Sequence, residues 1–144
     1  FYAKQVQELR KSNQEETSLS DPSDDASHMQ HTIEQLEDLM AKKKIFLDPN
    51  ISAIQLSKAL RINRRNLSTL LSSKYQMNFN EFINHYRILE AQRLIMNRNS
   101  QNITMSVLSE ECGFKTERTF YNAFRHSTGI SPMMFKEKLH KYPQ

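Results

Sequence analysis

The chain has 144 residues, with one cysteine, two glycines, four prolines and no tryptophan. That length allows one compact domain plus extra segments, and a single cysteine excludes an intramolecular disulfide and fits a reducing compartment. The net charge of +4 is unevenly spread: residues 1–40 carry 3 basic and 9 acidic side chains, a net of −6, whereas residues 41–144 carry 17 and 7, a net of +10.

A basic part of that strength suits a polyanionic partner. No apolar run approaches the ~18 residues of a membrane span, and no signal peptide is visible. Few glycines among many Leu, Lys, Arg, Glu and Gln favour helix. The first residue is Phe1 rather than Met, so the chain is expected to be a piece of something longer.

Residues 1–11 read as a short helix with Tyr2, Val6 and Leu9 on one side, the end of a preceding element. Residues 12–31 are polar, acidic and rich in Ser and Asp, and read as a flexible linker. His28 and His31 stand at helical spacing, but no acidic or cysteine partner lies at ligand spacing, so no metal is expected. Residues 32–46 open on a Thr32…Gln35 capping box. Ile33, Leu36, Leu39 and Met40 follow helical spacing, and Lys42, Lys43 and Lys44 suit the negative end of the dipole. Asp48-Pro49 ends this helix.

Residues 51–75 read as two helices and a turn. Ser52…Gln55 is a capping box, and Leu56, Ala59 and Leu60 make the apolar side. Asn63 caps the second helix, which turns Leu67, Leu70 and Leu71 inward. Its outer face carries Arg64, Arg65, Asn66, Ser68, Thr69, Ser72 and Lys74. Asn78…Glu81 starts a longer helix over 78–98, with Phe79, Phe82, Ile83, Tyr86, Leu89 and Leu94 on the buried side. About 20 residues give about 30 Å of rod, close to the ~34 Å of one DNA turn.

After a loop at 99–103, residues 104–112 read as a short helix. Cys112 stands where an apolar residue belongs, as a buried thiol rather than a nucleophile. Gly113 makes the turn, Thr116 caps the next helix, and Glu117 suits its positive end. Phe120, Ala123 and Phe124 form a buried stripe, and Arg118, Tyr121, Asn122 and Arg125 the other face. Gly129 closes that helix, and Ser131-Pro132 opens a last one over 132–139. Its Met133, Met134 and Phe135 are expected in the core, and the tail is expected to fray.

The pattern repeats. Leu67, Leu71, Met77 and Phe82 map onto Phe120, Phe124, Ile130 and Phe135 at a shift of 53, and Leu56 maps onto Leu108 at 52. A duplicated helix-turn-helix is a sharper signal than one copy.

The second copy resembles the DNA-reading unit of AraC/XylS-type transcription regulators, on Ile103, Leu108, Gly113, Phe114, Phe120, Phe124, Gly129, Pro132 and Phe135. Arg87, Ala91, Leu94 and Ile95 match that family's linker helix. The resemblance covers residues 33–140. It implies an all-α fold, with two helix-turn-helix subdomains (51–77 and 103–140) joined by a long linker helix (78–98), in a domain over 32–144. Two recognition helices would enter adjacent major grooves. Carried over by position, Arg64, Arg65, Ser68 and Thr69 of the first face base edges, as do Glu117, Arg118, Tyr121 and Asn122 of the second. Asn63, Lys74, Lys115 and Arg125 are placed for phosphate, and Ser72 and Thr116 complete the two faces. Gln76, Leu71, Asn66 and Ser109 depart from the usual residues, so the richer second unit is expected to dominate.

The resemblance further implies a cytoplasmic transcription regulator that binds double-stranded DNA, with a sensor domain upstream; the cytoplasmic end of a membrane-anchored regulator is the variant of this reading that the abrupt start suggests. RNA polymerase is a candidate partner that no residue pattern announces. Acidic residues 15–25 are expected to shield the basic face at rest. The alternative is a helical adaptor binding an acidic protein, which explains the charge but not the duplicated turn. An RNA-binding module would expose more aromatics. No Ser/His/Asp set, metal cluster or phosphate loop points to an enzyme or a cofactor.

Overall fold

A computed structural model describes residues 22–97 and 102–141. The helix expected over 1–11, the linker up to residue 21, most of the 99–103 loop and residues 142–144 lie outside them. The described residues form seven α-helices and one 3₁₀ turn: α1 (Pro22–Ala41), the 3₁₀ turn (Ile45–Leu47), α2 (Ala53–Leu60), α3 (Arg64–Tyr75), α4 (Phe79–Asn97), α5 (Met105–Glu111), α6 (Glu117–Thr128) and α7 (Pro132–Lys141). Contacts divide the chain into two units: Phe1–Ile45 with Ile51–Phe82, and Phe46–Asn50 with Ile83–Gln144.

The first unit buries Ile33, Leu36 and Met40 of α1, Leu56 and Leu60 of α2, and Leu67, Leu70, Leu71 and Tyr75 of α3, with Phe82. The Tyr75 and Phe82 rings lie 5.0 Å apart, and the Tyr75 hydroxyl donates to Glu37 at 3.5 Å. Three expectations need correction here. Helix α1 begins at Pro22, so residues 22–31 are helix rather than linker. Thr32 caps nothing: it is buried, and its hydroxyl donates to the His28 carbonyl one turn back at 3.0 Å. The helix also stops at Ala41, before the three lysines and Asp48-Pro49, and Lys44 takes a left-handed φ of 49°.

In α2 the buried side is Leu56, Ser57 and Leu60, and Ala59 is exposed. In α3 the stripe Leu67, Leu70, Leu71, Lys74, Tyr75 is buried. Lys74 stands seven residues after Leu67, two helical turns on the same face. It is therefore 7% exposed and not on the outer face expected for it.

The second unit is built on Ile88, Ala91, Leu94 and Ile95 of α4, with Leu108, Cys112, Phe114, Phe120 and Phe124. Four phenylalanines form a chain: Phe114–Phe120 at 5.4 Å, Phe120–Phe124 at 5.8 Å and Phe124–Phe135 at 5.5 Å between centroids. Each such pair adds about 0.5–1.5 kcal/mol beyond its buried area. Leu89, expected inside, is 45% exposed, and its neighbour Ile88 is buried instead. Met133 and Met134 are likewise exposed rather than core. Three consecutive helical residues cannot share one face at 100° per residue, and Phe135 and Leu139, one turn apart, take the packing.

The segment Phe46–Asn50 is clamped within this second unit. Arg87 donates from Nε to the Phe46 carbonyl at 2.7 Å and from Nη2 to the Asp48 carbonyl at 2.9 Å. Its guanidinium lies 5.4 Å from the centre of the Phe114 ring. Burial lowers the Arg87 pKa, with the Asp48 carboxylate opposing. Gly113 meets the same segment from the other direction. A Cβ there would stand 2.7 Å from the Phe46 carbonyl oxygen and 2.9 Å from that of Leu47.

Candidate nucleic-acid interface

Each unit presents one twelve-residue helix, α3 or α6, and both are made by the same devices. Asn63 accepts the Asn66 backbone N–H at 2.7 Å, and Thr116 accepts that of Thr119 at 3.0 Å. Each cap stands immediately before its helix in extended backbone. Each helix closes on a left-handed residue, Gln76 at φ 55° and Gly129 at φ 83°. The inward stripes correspond as well: Leu67 and Leu71 in one, Phe120 and Phe124 in the other.

The preceding helices match at a shift of 52. Ser52 caps α2 in a complete capping box with Gln55, and Thr104 caps α5. Both helices then bury a serine whose hydroxyl donates to the carbonyl three residues back at 2.8 Å, Ser57 to Ile54 and Ser109 to Ser106. This serine pair escaped the sequence reading, although a search for identities at the 52-residue shift would have found it. The duplication is thus present in caps, turns and buried polar groups, not only in apolar spacing.

The outward faces follow from the inward ones. On α3, Arg65, Ser68, Thr69 and Ser72 are exposed at i, i+3, i+4 and i+7; on α6, Arg118, Tyr121, Asn122 and Arg125 are exposed at the same spacing. The shift of 53 pairs them in that order. Arg64 and Glu117 are exposed as the first residues of the two helices. Lys115 is exposed in the turn before α6. Asn63 and Thr116 are exposed but serve as caps, so their oxygens are engaged by their own helices. Among the described residues, Arg65, Arg118 and Arg125 are in no ion pair. Lys74 alone of the expected residues is turned inside.

Such a face is polar, donor-rich and positive, and it stands on a rigid helix. Arginine can fork to two acceptors, asparagine can offer one donor and one acceptor, and hydroxyls can do either. A major groove admits a helix carrying such groups. The described residues hold no group of three or more His, Cys, Asp or Glu placed for a metal. No described helix is long and apolar enough to cross a membrane.

Comparison with known proteins agrees with this geometry. A family model described as a helix-turn-helix domain matches residues 56–138. No curated protein matches the sequence. Among solved structures, the DNA-binding domain of AdpA in complex with a target DNA is 18% identical, with a TM-score of 0.67 over 78% of this chain and 96% of that one. An AraC-type transcriptional regulator from Chromobacterium violaceum is 16% identical, with a TM-score of 0.66 over 80% and 96%. The C-terminal domain of the two-component response regulator YesN from Fusobacterium nucleatum is 17% identical, with a TM-score of 0.64 over 74% and 98%. At these identities the likeness is one of fold: two helix-turn-helix units in an all-α chain.

Proposed function

Because the chain belongs to the AraC-type helix-turn-helix family, we propose that it is a sequence-specific DNA-binding transcription regulator. The observation that carries this is the pair of equivalent exposed faces, Arg65-Ser68-Thr69-Ser72 and Arg118-Tyr121-Asn122-Arg125, on helices capped and packed alike. Each helix enters a major groove, the two in adjacent grooves. Arg64, Arg65, Ser68 and Thr69 of one, and Glu117, Arg118, Tyr121 and Asn122 of the other, face base edges. Lys115 and Arg125 hold phosphate, which positions without specifying. It acts by binding, not by catalysis.

The protein is the cytoplasmic output part of a longer regulator, with a sensor upstream and RNA polymerase as a further partner. The fold shared with a response-regulator C-terminal domain supports the output role. The test is affinity for a selected duplex. Arg118→Ala should weaken it by about 1–3 kcal/mol, the worth of one forked base contact. It should do so more than Arg64→Ala with Arg65→Ala, if the second unit dominates. Unchanged affinity in both variants would refute the assignment of these faces.

A further inference from the structure

Resting on that DNA-binding reading, we infer that the preferred duplex holds two half-sites that share a guanine and differ beside it, with an adenine demanded by the second unit only. The argument is one of register. Caps, helix lengths and closing residues of α3 and α6 coincide at the 53-residue shift. Each helix is therefore presented by its own unit in the same way, and equivalent positions reach equivalent depths in a groove. Arg65 and Arg118 are equivalent, and arginine forks to guanine O6 and N7. One turn further along the same face stand Thr69 and Asn122, both exposed. Asparagine pairs with adenine N6 and N7 by two hydrogen bonds, whereas one threonine hydroxyl accepts several bases. Ser68 opposite Tyr121 widens the same inequality. At these two equivalent positions the first unit reads one base firmly and the second reads two.

The experiment is selection from a random duplex pool by the full chain, repeated with Thr69→Asn. The wild type should enrich two guanine positions, with adenine fixed near one of them. Arg65→Ala and Arg118→Ala should each relax one guanine and leave the other. Thr69→Asn lies on an exposed face, and an unchanged melting temperature would show the fold intact. It should add an adenine near the other guanine, with roughly 5- to 150-fold discrimination against the remaining bases. An enriched sequence with no shared guanine, or one that Thr69→Asn leaves unchanged, would overturn the inference while the DNA-binding reading stands. No enrichment of any duplex would overturn both.

Discussion

Two glycines do different work, and the difference is measurable. Both hold positive φ, 93° at Gly113 and 83° at Gly129. A Cβ at Gly129 would meet nothing within 4 Å, whereas at Gly113 it would press on two backbone carbonyls. Gly129→Ala should cost only the backbone penalty, about 1–2 kcal/mol. Gly113→Ala adds an overlap that no rotamer can relieve, worth about 1–3 kcal/mol more. Chemical denaturation of the two variants should rank them in that order; equal losses would refute the close approach of Phe46 and Leu47. Cys112 offers a second probe. Burial pushes its thiol from the ordinary 9.0 up to about 12. A pKa raised by folding gives stability that is full below pH 9 and lost as pH rises towards 12. The native thiol should resist alkylation at pH 8 and react only on unfolding, and Cys112→Val should remove the alkaline loss. Rapid labelling of the folded chain would contradict its burial.

Among elements, the same short signature proved true once and false once. Ser52…Gln55 is a complete capping box, whereas Thr32…Gln35 lies inside a helix that starts ten residues earlier. Pro49 stands just before the first, where the chain cannot already be helical; Pro22, at the first position of α1, leaves everything after it free to be helix. The second helices of both units were legible because caps, apolar stripe and closing residue agree. Helix α4 was legible in extent, read over 78–98 and found at Phe79–Asn97, but part of its buried side was not, since Ile88 and Leu89 are adjacent and spacing alone cannot choose between them. Lys74 was misplaced through its chemistry: its position is on the buried stripe, but a charge invites an outward reading. Arg87 matched a pattern, yet its hold on Phe46 and Asp48 needs residues some forty positions away, which no local reading supplies. Gln76 closes α3 in a conformation that glycine adopts without strain. Gln76→Gly should raise the stability of the first unit by about 1 kcal/mol. A fall in melting temperature would show that the side chain contributes more than its backbone costs.

For the molecule as a whole, charge and duplication point the same way. Residues 41–144 carry the net +10, and the two exposed faces stand on helices whose packing is already satisfied inside their own units. An adaptor for an acidic protein would use the charge but would have no need of matched caps, turns and faces. The most direct test is binding of the chain to duplex DNA across a series of salt concentrations, beside an acidic protein of similar charge density. A reader of duplex DNA should bind it with a log–log salt slope of roughly −0.9 for each phosphate contact, prefer it to the acidic protein, and relax its preference at one base position with Arg118→Ala. Binding to the acidic protein as tight as to duplex, a shallow salt slope, or a sequence preference that Arg118→Ala leaves unaltered would contradict the account.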